Sequence, residues 1–164
     1  VKENDTIMLN SGTTTLLVFR MLPTNFNLSI VTNSVAIALE AASNPNFNVV
    51  LLGGAVNSKY QFTYGDDACA QLERYHADKV ILSVDGITSD GVISTYYNAE
   101  AELDRRMLGR GNMSIIAADH TKIGRKAFAE ISTAQTYDIV ITNSSAPKDE
   151  ISALKENVES LILT

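Results

Sequence analysis

Several groups of residues in this 164-residue sequence have types and spacing suited to binding an anion or a polyol. The first is the segment 10–15, in which Ser11, Gly12, Thr13 and Thr14 follow an apolar run and precede an amphipathic stretch. A glycine lets backbone N–H groups approach a ligand closely, and the N-terminus of a helix favours an anion. Serine and threonine are also preferred helix caps, so this segment alone leaves phosphate binding and capping open.

Three further clusters also allow either a ligand-binding role or a purely structural one, as a helix cap or a turn. Thr32, Asn33 and Ser34 offer polar donors at the rim of a sheet, or a helix cap at Ser34. Gly53, which precedes a second glycine, indicates either a turn or a place where a ligand lies over the backbone. Asp85, in an Asp-Gly pair, could orient sugar hydroxyls, although a short turn has the same sequence.

Charged side chains complete the candidate site. Glu100 stands at the start of a predicted helix, where a carboxylate can accept hydrogen bonds from hydroxyls or act as a base. Lys122 could supply the positive charge for a phosphate, with Asp119 holding the lysine or reading a hydroxyl. A surface ion pair worth ~0–1 kcal/mol is the alternative for these two residues. Glu102 and Arg106, four residues apart, indicate a solvated helix face.

The elements that position these residues follow from the hydrophobic pattern. Short apolar runs alternate with amphipathic stretches, which is typical of parallel strands joined by helices and buried on both faces. The polar and glycine clusters fall at the carboxyl ends of strands, where open α/β sheets bind their ligands. The segment 57–64 is either a loop or a lid, and the segment 89–97 is either a hairpin or an irregular crossover. Strands are predicted at 6–9, 28–31, 49–52, 80–84, 114–117, 139–142 and 161–163, and helices at 14–21, 35–42, 67–75, 99–110 and 148–157.

Composition excludes several classes of protein. A content of 45% hydrophobic and 20% charged residues predicts one compact domain, and the net charge of -6 argues against binding of the whole chain to a nucleic-acid backbone. Cys69 and two histidines make neither an internal disulfide nor a zinc cluster, so no metal is expected. No Walker A loop or G-x-G-x-x-G fingerprint occurs, and no cofactor is expected. No long apolar segment or signal peptide occurs, which predicts a cytoplasmic location without membrane contact. A start without Met suggests a fragment of a longer protein.

The blocks along the chain together resemble the C-terminal effector-sensing domain of DeoR-family transcriptional regulators. The resemblance implies a single α/β domain over residues 1–164, with three layers, a mostly parallel sheet and helices on both faces. That fold is similar to the ribose phosphate isomerase and CoA-transferase group. The resemblance also implies an N-terminal winged helix-turn-helix, which is missing here. DNA would be bound only through that domain. The blocks are SGTTT (11–15), VTNSVAIA (31–38), LLGGAV (51–56), YGDDA (64–68), ADKVILSVDGI (77–87), GVIS (91–94), NAEAELDRRML (98–108) and AADHTKIG (117–124).

The resemblance also implies a ligand and a site. Regulators of this family sense phosphorylated sugars or related metabolites, so we expect a homo-oligomeric repressor of sugar metabolism whose sensor has no catalytic residues. The isomerases use a Lys-Gly-Gly-Gly segment, which this sequence lacks, and an Asp-Gly-Ala-Asp-Glu motif, which is reduced here to Asp85-Gly86-Ile87-Thr88-Ser89. The expected phosphate loop is Ser11, Gly12, Thr13 and Thr14, and the expected rim is Thr32, Asn33, Ser34, Gly53, Asp85, Glu100, Asp119 and Lys122.

Two other functions remain alternatives. The first is an aldose–ketose isomerase of sugar phosphates, with Glu100 as the base and Lys122 as the electrostatic stabiliser. Turnover of a bound sugar phosphate would distinguish this enzyme from a sensor. The second is an assembly module that oligomerises through exposed apolar positions and binds no ligand.

Overall fold

The computed structural model describes residues 1–164. The strands are β1 (Thr6–Leu9), β2 (Leu28–Thr32), β3 (Phe47–Leu51), β4 (Ala55–Asn57), β5 (Phe62–Tyr64), β6 (Lys79–Ser83), β7 (Gly86–Ile87), β8 (Ile93–Thr95), β9 (Ser114–Ala117), β10 (Ala129–Ser132), β11 (Ile139–Thr142) and β12 (Ser160–Leu163). The helices are α1 (Thr13–Arg20), α2 (Val35–Ala41), α3 (Asp66–Leu72), α4 (Asn98–Leu108) and α5 (Lys148–Asn157). Short 3-10 helices cover His120–Lys122 and Ala134–Thr136. None of the helices is both long and apolar enough to cross a membrane.

The main sheet has seven strands in the order β12-β11-β9-β6-β1-β2-β3. All its strand pairs are parallel. These are the seven strands predicted from the apolar runs, and the five predicted helices are also present, with ends that differ by at most three residues. The predicted α/β class with a mostly parallel sheet is therefore confirmed.

The two faces of this sheet are buried by different layers. Ile7 and Leu9 point to one face and pack with residues of α1 and α2 in a core of ten buried residues. Met8 and Leu82 point to the other face, in a larger core that includes residues of α3, α4 and α5. Since successive side chains of a strand alternate between faces, a short strand such as β1 serves both cores. Helices on both faces give the three predicted layers.

Two small antiparallel sheets occupy the segments that lack a clear sequence pattern. Strands β4 and β5 form a hairpin with its tip at residues 58–61, within the predicted loop or lid. Gln61 at this tip has a left-handed backbone, with φ 55°. Strands β7 and β8 pair antiparallel, and β10 extends this sheet on the other side of β8. The segment 89–97 is therefore the hairpin alternative, not an irregular crossover.

The strand order places a crevice at the centre of the sheet. From β1 the chain proceeds to β2 and β3 on one side, and it then crosses to β6 on the other side of β1. The connections after β1 and β6 therefore diverge at their carboxyl ends. Open α/β sheets bind ligands at such a reversal of strand order, since the diverging connections leave a crevice between them.

Candidate functional site

A cavity of about 390 Å³ lies at the carboxyl ends of β1 and β6. Its wall is built from the starts of α1, α2 and α4, the segment after β6, and the tip of the β4–β5 hairpin. Of the twelve site residues predicted from the sequence, eight line this cavity: Ser11, Gly12, Thr13, Thr14, Ser34, Asp85, Glu100 and Lys122.

The start of α1 presents unpaired backbone donors to the cavity. The helix begins after Gly12 and no side chain caps it. The N–H groups of Thr13 and Thr14 donate to no other group of the protein. Capping therefore does not explain this Ser, Gly and Thr segment. At the start of α2 the capping interpretation is correct, since Ser34 Oγ accepts a hydrogen bond of 3.3 Å from the N–H of Ile37.

The loop before α1 is attached to β6 by Asn10. Its Oδ1 accepts a hydrogen bond of 2.9 Å from the N–H of Ser83, and its Nδ2 donates to the carbonyl of Ser83 at 2.9 Å. The same Nδ2 group donates to Asp104 Oδ2 at 2.9 Å. Asn10 is completely buried, so these bonds fix the ends of two central strands relative to each other. Sequence analysis missed this role, although Asn10 stands at the end of a predicted strand.

The carboxylates of Glu100 and Asp85 are held by hydroxyl groups. Glu100 accepts hydrogen bonds of 2.8 Å from Ser11 Oγ and from Thr95 Oγ1. Asp85 Oδ2 lies 3.0 Å from the same Thr95 hydroxyl and accepts from the N–H of Tyr96 at 3.2 Å. Burial raises the pKa of Glu100, although its two hydroxyl donors oppose this effect. The site thus favours the neutral form of the Glu100 carboxyl group more than water does.

A second acid, Asp104, lies one turn further along α4. It is completely buried, and burial raises the pKa of its carboxyl group well above the usual value, with a further contribution from Glu100. Its Oδ1 atom has no hydrogen-bond partner. Burial therefore opposes ionisation of both acids beneath the start of α1.

Lys122 reaches the cavity from the 3-10 helix His120–Lys122. Its Nζ lies 3.6 Å from Asp85 Oδ1, so the acidic partner of this lysine is Asp85 rather than Asp119. Asp119 instead caps the 3-10 helix, where its Oδ1 accepts a hydrogen bond of 2.8 Å from the N–H of Thr121. The Thr121 hydroxyl also lowers the pKa of Asp119. Asp119 is not among the residues that line the cavity, because local capping turns its side chain towards Thr121.

Three other predicted rim residues also lie off the cavity wall. Thr32 Oγ1 donates to the carbonyl of Leu9 at 2.7 Å, and Asn33 Nδ2 donates to the carbonyl of Thr63 at 3.2 Å. The N–H of Gly53 donates to the side chain of Gln71. A Cβ atom at Gly53 would lie 2.8 Å from the end of that side chain, so Gly53 packs closely against Gln71. These residues hold the frame around the cavity instead of lining it.

Sequence analysis missed one side of the cavity. Tyr60 and Phe62 contribute from the β4–β5 hairpin, and Tyr96 and Tyr97 contribute from the segment before α4. Both segments were recognised as irregular, and their density of aromatic residues is visible in the sequence. What the sequence does not indicate is that the hairpin folds back against the start of α4.

The family comparison agrees with this geometry. A family model described as the DeoR C terminal sensor domain matches residues 1–144. The chain belongs to this family. The resemblance based on the sequence blocks is therefore confirmed, and the DeoR sensor domain is regulatory rather than an enzyme. The isomerase alternative is not supported.

Curated relatives carry names that fit a DeoR sensor domain. The transcriptional regulator GolR of Listeria innocua is 32% identical over 148 residues, which are 90% of this chain and 58% of the relative. The glycerol-3-phosphate regulon repressor of Escherichia coli is 26% identical over 157 residues, which are 96% of this chain and 62% of the relative. The chain thus spans about three fifths of the length of these relatives.

A solved structure supports the fold. Ribose 5-phosphate isomerase A from Methanocaldococcus jannaschii aligns with a TM-score of 0.52 at 16% identity, covering 74% of this chain and 48% of the isomerase. At this identity the likeness concerns the fold alone. The predicted similarity of the DeoR sensor domain to the isomerase fold is therefore confirmed.

Proposed function

We propose that the cavity binds a phosphorylated sugar and that this binding regulates a DNA-binding domain outside the chain. One observation carries the proposal. The uncapped N-terminus of α1 and the Lys122 ammonium group line the same cavity as the carboxylates of Asp85 and Glu100. Donors for an anion and acceptors for hydroxyl groups therefore stand within reach of one small molecule.

The phosphate would lie at the start of α1. The N–H groups of Thr13 and Thr14 and the partial positive charge of the helix N-terminus favour an anion there. The hydroxyls of Thr13 and Thr14 would add donors, and Lys122 would add a positive charge. Lys122 and Asp85 are each about three-tenths exposed and their ion pair is long, at 3.6 Å, so a phosphate can compete with Asp85 for the lysine.

The sugar hydroxyls would be read by Asp85 and Glu100. Each carboxylate oxygen has more than one lone pair, so the present hydroxyl donors leave acceptor capacity for a ligand. Carboxylate acceptors distinguish a polyol from an apolar molecule of the same size, because an apolar molecule would leave them unpaired. The phosphate and the hydroxyl groups together thus define the ligand class.

The regulatory part of the proposal rests on the DeoR family and on the names of its members. A repressor named for a glycerol-3-phosphate regulon concerns a small phosphorylated metabolite, which supports a phosphorylated effector here. We further propose an N-terminal winged helix-turn-helix outside this chain, action in the cytoplasm, and assembly into at least a dimer that matches a two-fold operator. The effector would act through a difference in its affinity for two arrangements of the subunits.

A thermal-shift panel tests the ligand class. Each sugar phosphate is compared with its free sugar and with inorganic phosphate, using the wild-type chain, Lys122→Met and Lys126→Met. Lys126 is the matched control because its side chain is 62% exposed and pairs with Glu130 outside the cavity. A ligand at ~100 times its Kd stabilises the folded state by about 2.7 kcal/mol. For a domain of this size, that raises Tm by roughly 5–10 °C.

We expect one sugar phosphate to raise Tm while its free sugar does not. Lys122→Met should reduce the rise and Lys126→Met should leave it unchanged. No response to a broad panel of sugar phosphates would contradict the proposal and favour the assembly module. An equal response of both lysine variants would remove Lys122 from the site.

A further inference from the structure

We propose that the cavity selects the cyclic form of its phosphorylated sugar, with the apolar face of the sugar ring against an aromatic wall. The wall consists of Tyr60, Phe62 and Tyr97, all of which line the cavity. This inference rests on the proposed function, because it concerns the ligand of the same site.

The aromatic wall is supported by contacts between its own rings. The ring centroids of Tyr60 and Tyr97 lie 5.0 Å apart, and those of Phe62 and Tyr97 lie 6.1 Å apart. Phe62 is 2% exposed, so it backs Tyr97 from within the protein. Tyr60 is 47% exposed at the tip of the hairpin and closes the wall from outside. The half-buried Tyr97 ring is in contact with both of these rings, and this packing supports its orientation.

The position of Tyr97 joins the wall to the hydroxyl acceptors. Its carbonyl accepts hydrogen bonds from the N–H groups of Glu100 and Ala101 at the start of α4. Tyr97 and Glu100 are therefore one helical turn apart and line the same cavity. The C–H groups of a sugar ring are weakly positive, because each carbon carries an oxygen, and the faces of aromatic rings are negative. A ring can thus contact Tyr97 while one of its hydroxyls donates to Glu100.

The angles between the aromatic rings favour a sugar over a flat ligand. Tyr60 and Phe62 are inclined to Tyr97 by 55° and 59°. A planar nucleobase can stack on only one of these rings at a time. A puckered sugar ring has C–H groups in several directions and can contact two rings. An open-chain polyol has no continuous C–H face, and it loses more conformational freedom on binding.

Matched pairs of ligands test this inference by isothermal titration calorimetry. Hexose 6-phosphates and pentose 5-phosphates are each compared with the corresponding alditol phosphate, which has no carbonyl and cannot form a ring. The wild-type chain should bind the best sugar phosphate about 10-fold more tightly than its alditol phosphate. Tyr97→Leu should weaken binding of the sugar phosphate by ~2–10-fold, which corresponds to one aromatic contact, and leave the alditol phosphate unchanged.

Two variants control for loss of structure and for the phenol group. Tyr97→Phe keeps the aromatic face, so it should retain the preference for the cyclic sugar. Phe128→Leu makes a similar change at a residue that is 83% exposed and outside the cavity, so it should alter neither affinity. A melting curve for each variant establishes that it is folded.

Three results would overturn the inference. Equal affinities for a sugar phosphate and its alditol would exclude selection of the ring and leave the proposed function intact. If adenosine monophosphate bound more tightly than every sugar phosphate, and Tyr97→Leu weakened that binding, the aromatic wall would be assigned to a nucleobase. No binding of any sugar phosphate or alditol phosphate to the wild-type chain would refute the proposed function and the inference together.

Discussion

Replacing Gly12 with alanine tests how closely the loop before α1 packs against β6. Gly12 has φ 156° and ψ 160°, and Gly65, the residue before α3, has φ 99° and ψ -176°. Both conformations are almost confined to glycine. A Cβ atom at Gly12 would collide with the Ser83 hydroxyl and lie 3.2 Å from Ser83 Cβ, whereas no atom lies within 4 Å of a Cβ at Gly65. Gly65→Ala is therefore a matched control for backbone strain.

The expected magnitudes follow from this difference. Backbone strain of this kind costs about 1–3 kcal/mol, and this term applies to both variants. Overpacking adds about 1–3 kcal/mol at Gly12 alone. We therefore expect Gly12→Ala to lower the free energy of unfolding by about 2–6 kcal/mol and Gly65→Ala by about 1–3 kcal/mol. At roughly 2–4 °C per kcal/mol, Gly12→Ala should melt roughly 2–12 °C below Gly65→Ala.

Urea unfolding followed by far-ultraviolet circular dichroism provides the assay. The set comprises wild type, both glycine variants, Ser83→Ala and the Gly12→Ala/Ser83→Ala double variant. Ser83 Oγ makes only long hydrogen bonds, of 3.3 Å to the Ser11 carbonyl and 3.4 Å to Asn10 Oδ1, so its removal alone should cost little. In the double variant the collision with the hydroxyl disappears, and most of the overpacking loss should be recovered.

Two results would refute the packing argument. One is an equal loss of stability in Gly12→Ala and Gly65→Ala. The other is a double variant as unstable as the sum of its two single variants. The collision in Gly12→Ala should displace the loop before α1 and with it the N–H groups of Thr13 and Thr14. The sugar phosphate identified by the thermal-shift panel should therefore bind at least about 10-fold more weakly to Gly12→Ala.

Three further predictions concern buried polar groups of the site. Burial raises the pKa of Asp104 in the folded state, and at low pH the acid is protonated in both the folded and the unfolded state. As the pH rises from the ordinary aspartate pKa towards the raised pKa, the unfolded state ionises first and wild type loses stability. Asp104→Asn should therefore gain up to about 1.4 kcal/mol per pH unit relative to wild type between these two pKa values, and a pH-independent difference in urea unfolding would contradict this. Asn10→Ala removes the side-chain partners of the Ser83 N–H and carbonyl groups. It should lower the free energy of unfolding by about 1–3 kcal/mol. An unchanged urea midpoint would contradict this prediction. Thr95→Val removes a hydroxyl that lies within hydrogen-bond distance of both cavity carboxylates and can donate to either of them. Calorimetry should show ~5–10-fold weaker binding of the sugar phosphate and unchanged binding of inorganic phosphate. Equal losses for both ligands would contradict this.

The main sheet was predictable because its strands are short apolar runs in a sheet that has helices on both faces. A strand such as β11 reads Ile-Val-Ile-Thr, a continuous apolar run that stands out from its neighbours. The strands of the small sheets were not found. Strand β7 has two residues and β8 has three, which is too short for a periodic pattern. Their existence depends on antiparallel partners, including β10, which lies more than thirty residues after β8.

The site was predictable where it depends on position along the chain, and not where it depends on side-chain direction. Placement at the end of a strand brought Gly12, Asp85 and Lys122 to one cavity. The same rule also selected Thr32 and Asn33, whose side chains bind the backbone of neighbouring segments. Consecutive residues at a strand end point in different directions, and only the packing of the hairpin and α2 decides which of them reach the cavity.

The charge balance within the cavity argues for recognition of phosphate and sugar by one linked set of contacts. Lys122 is paired with Asp85, and burial favours the neutral form of Glu100. A phosphate that takes Lys122 as its counter-ion would release Asp85 from this pair and make its oxygens available to a hydroxyl group of the same molecule. Inorganic phosphate would leave Asp85 without a new partner, and a free sugar would have to compete with Lys122 for it. This exchange would allow an acidic chain, with a net charge of -6, to bind an anion and to favour one that carries a sugar over inorganic phosphate.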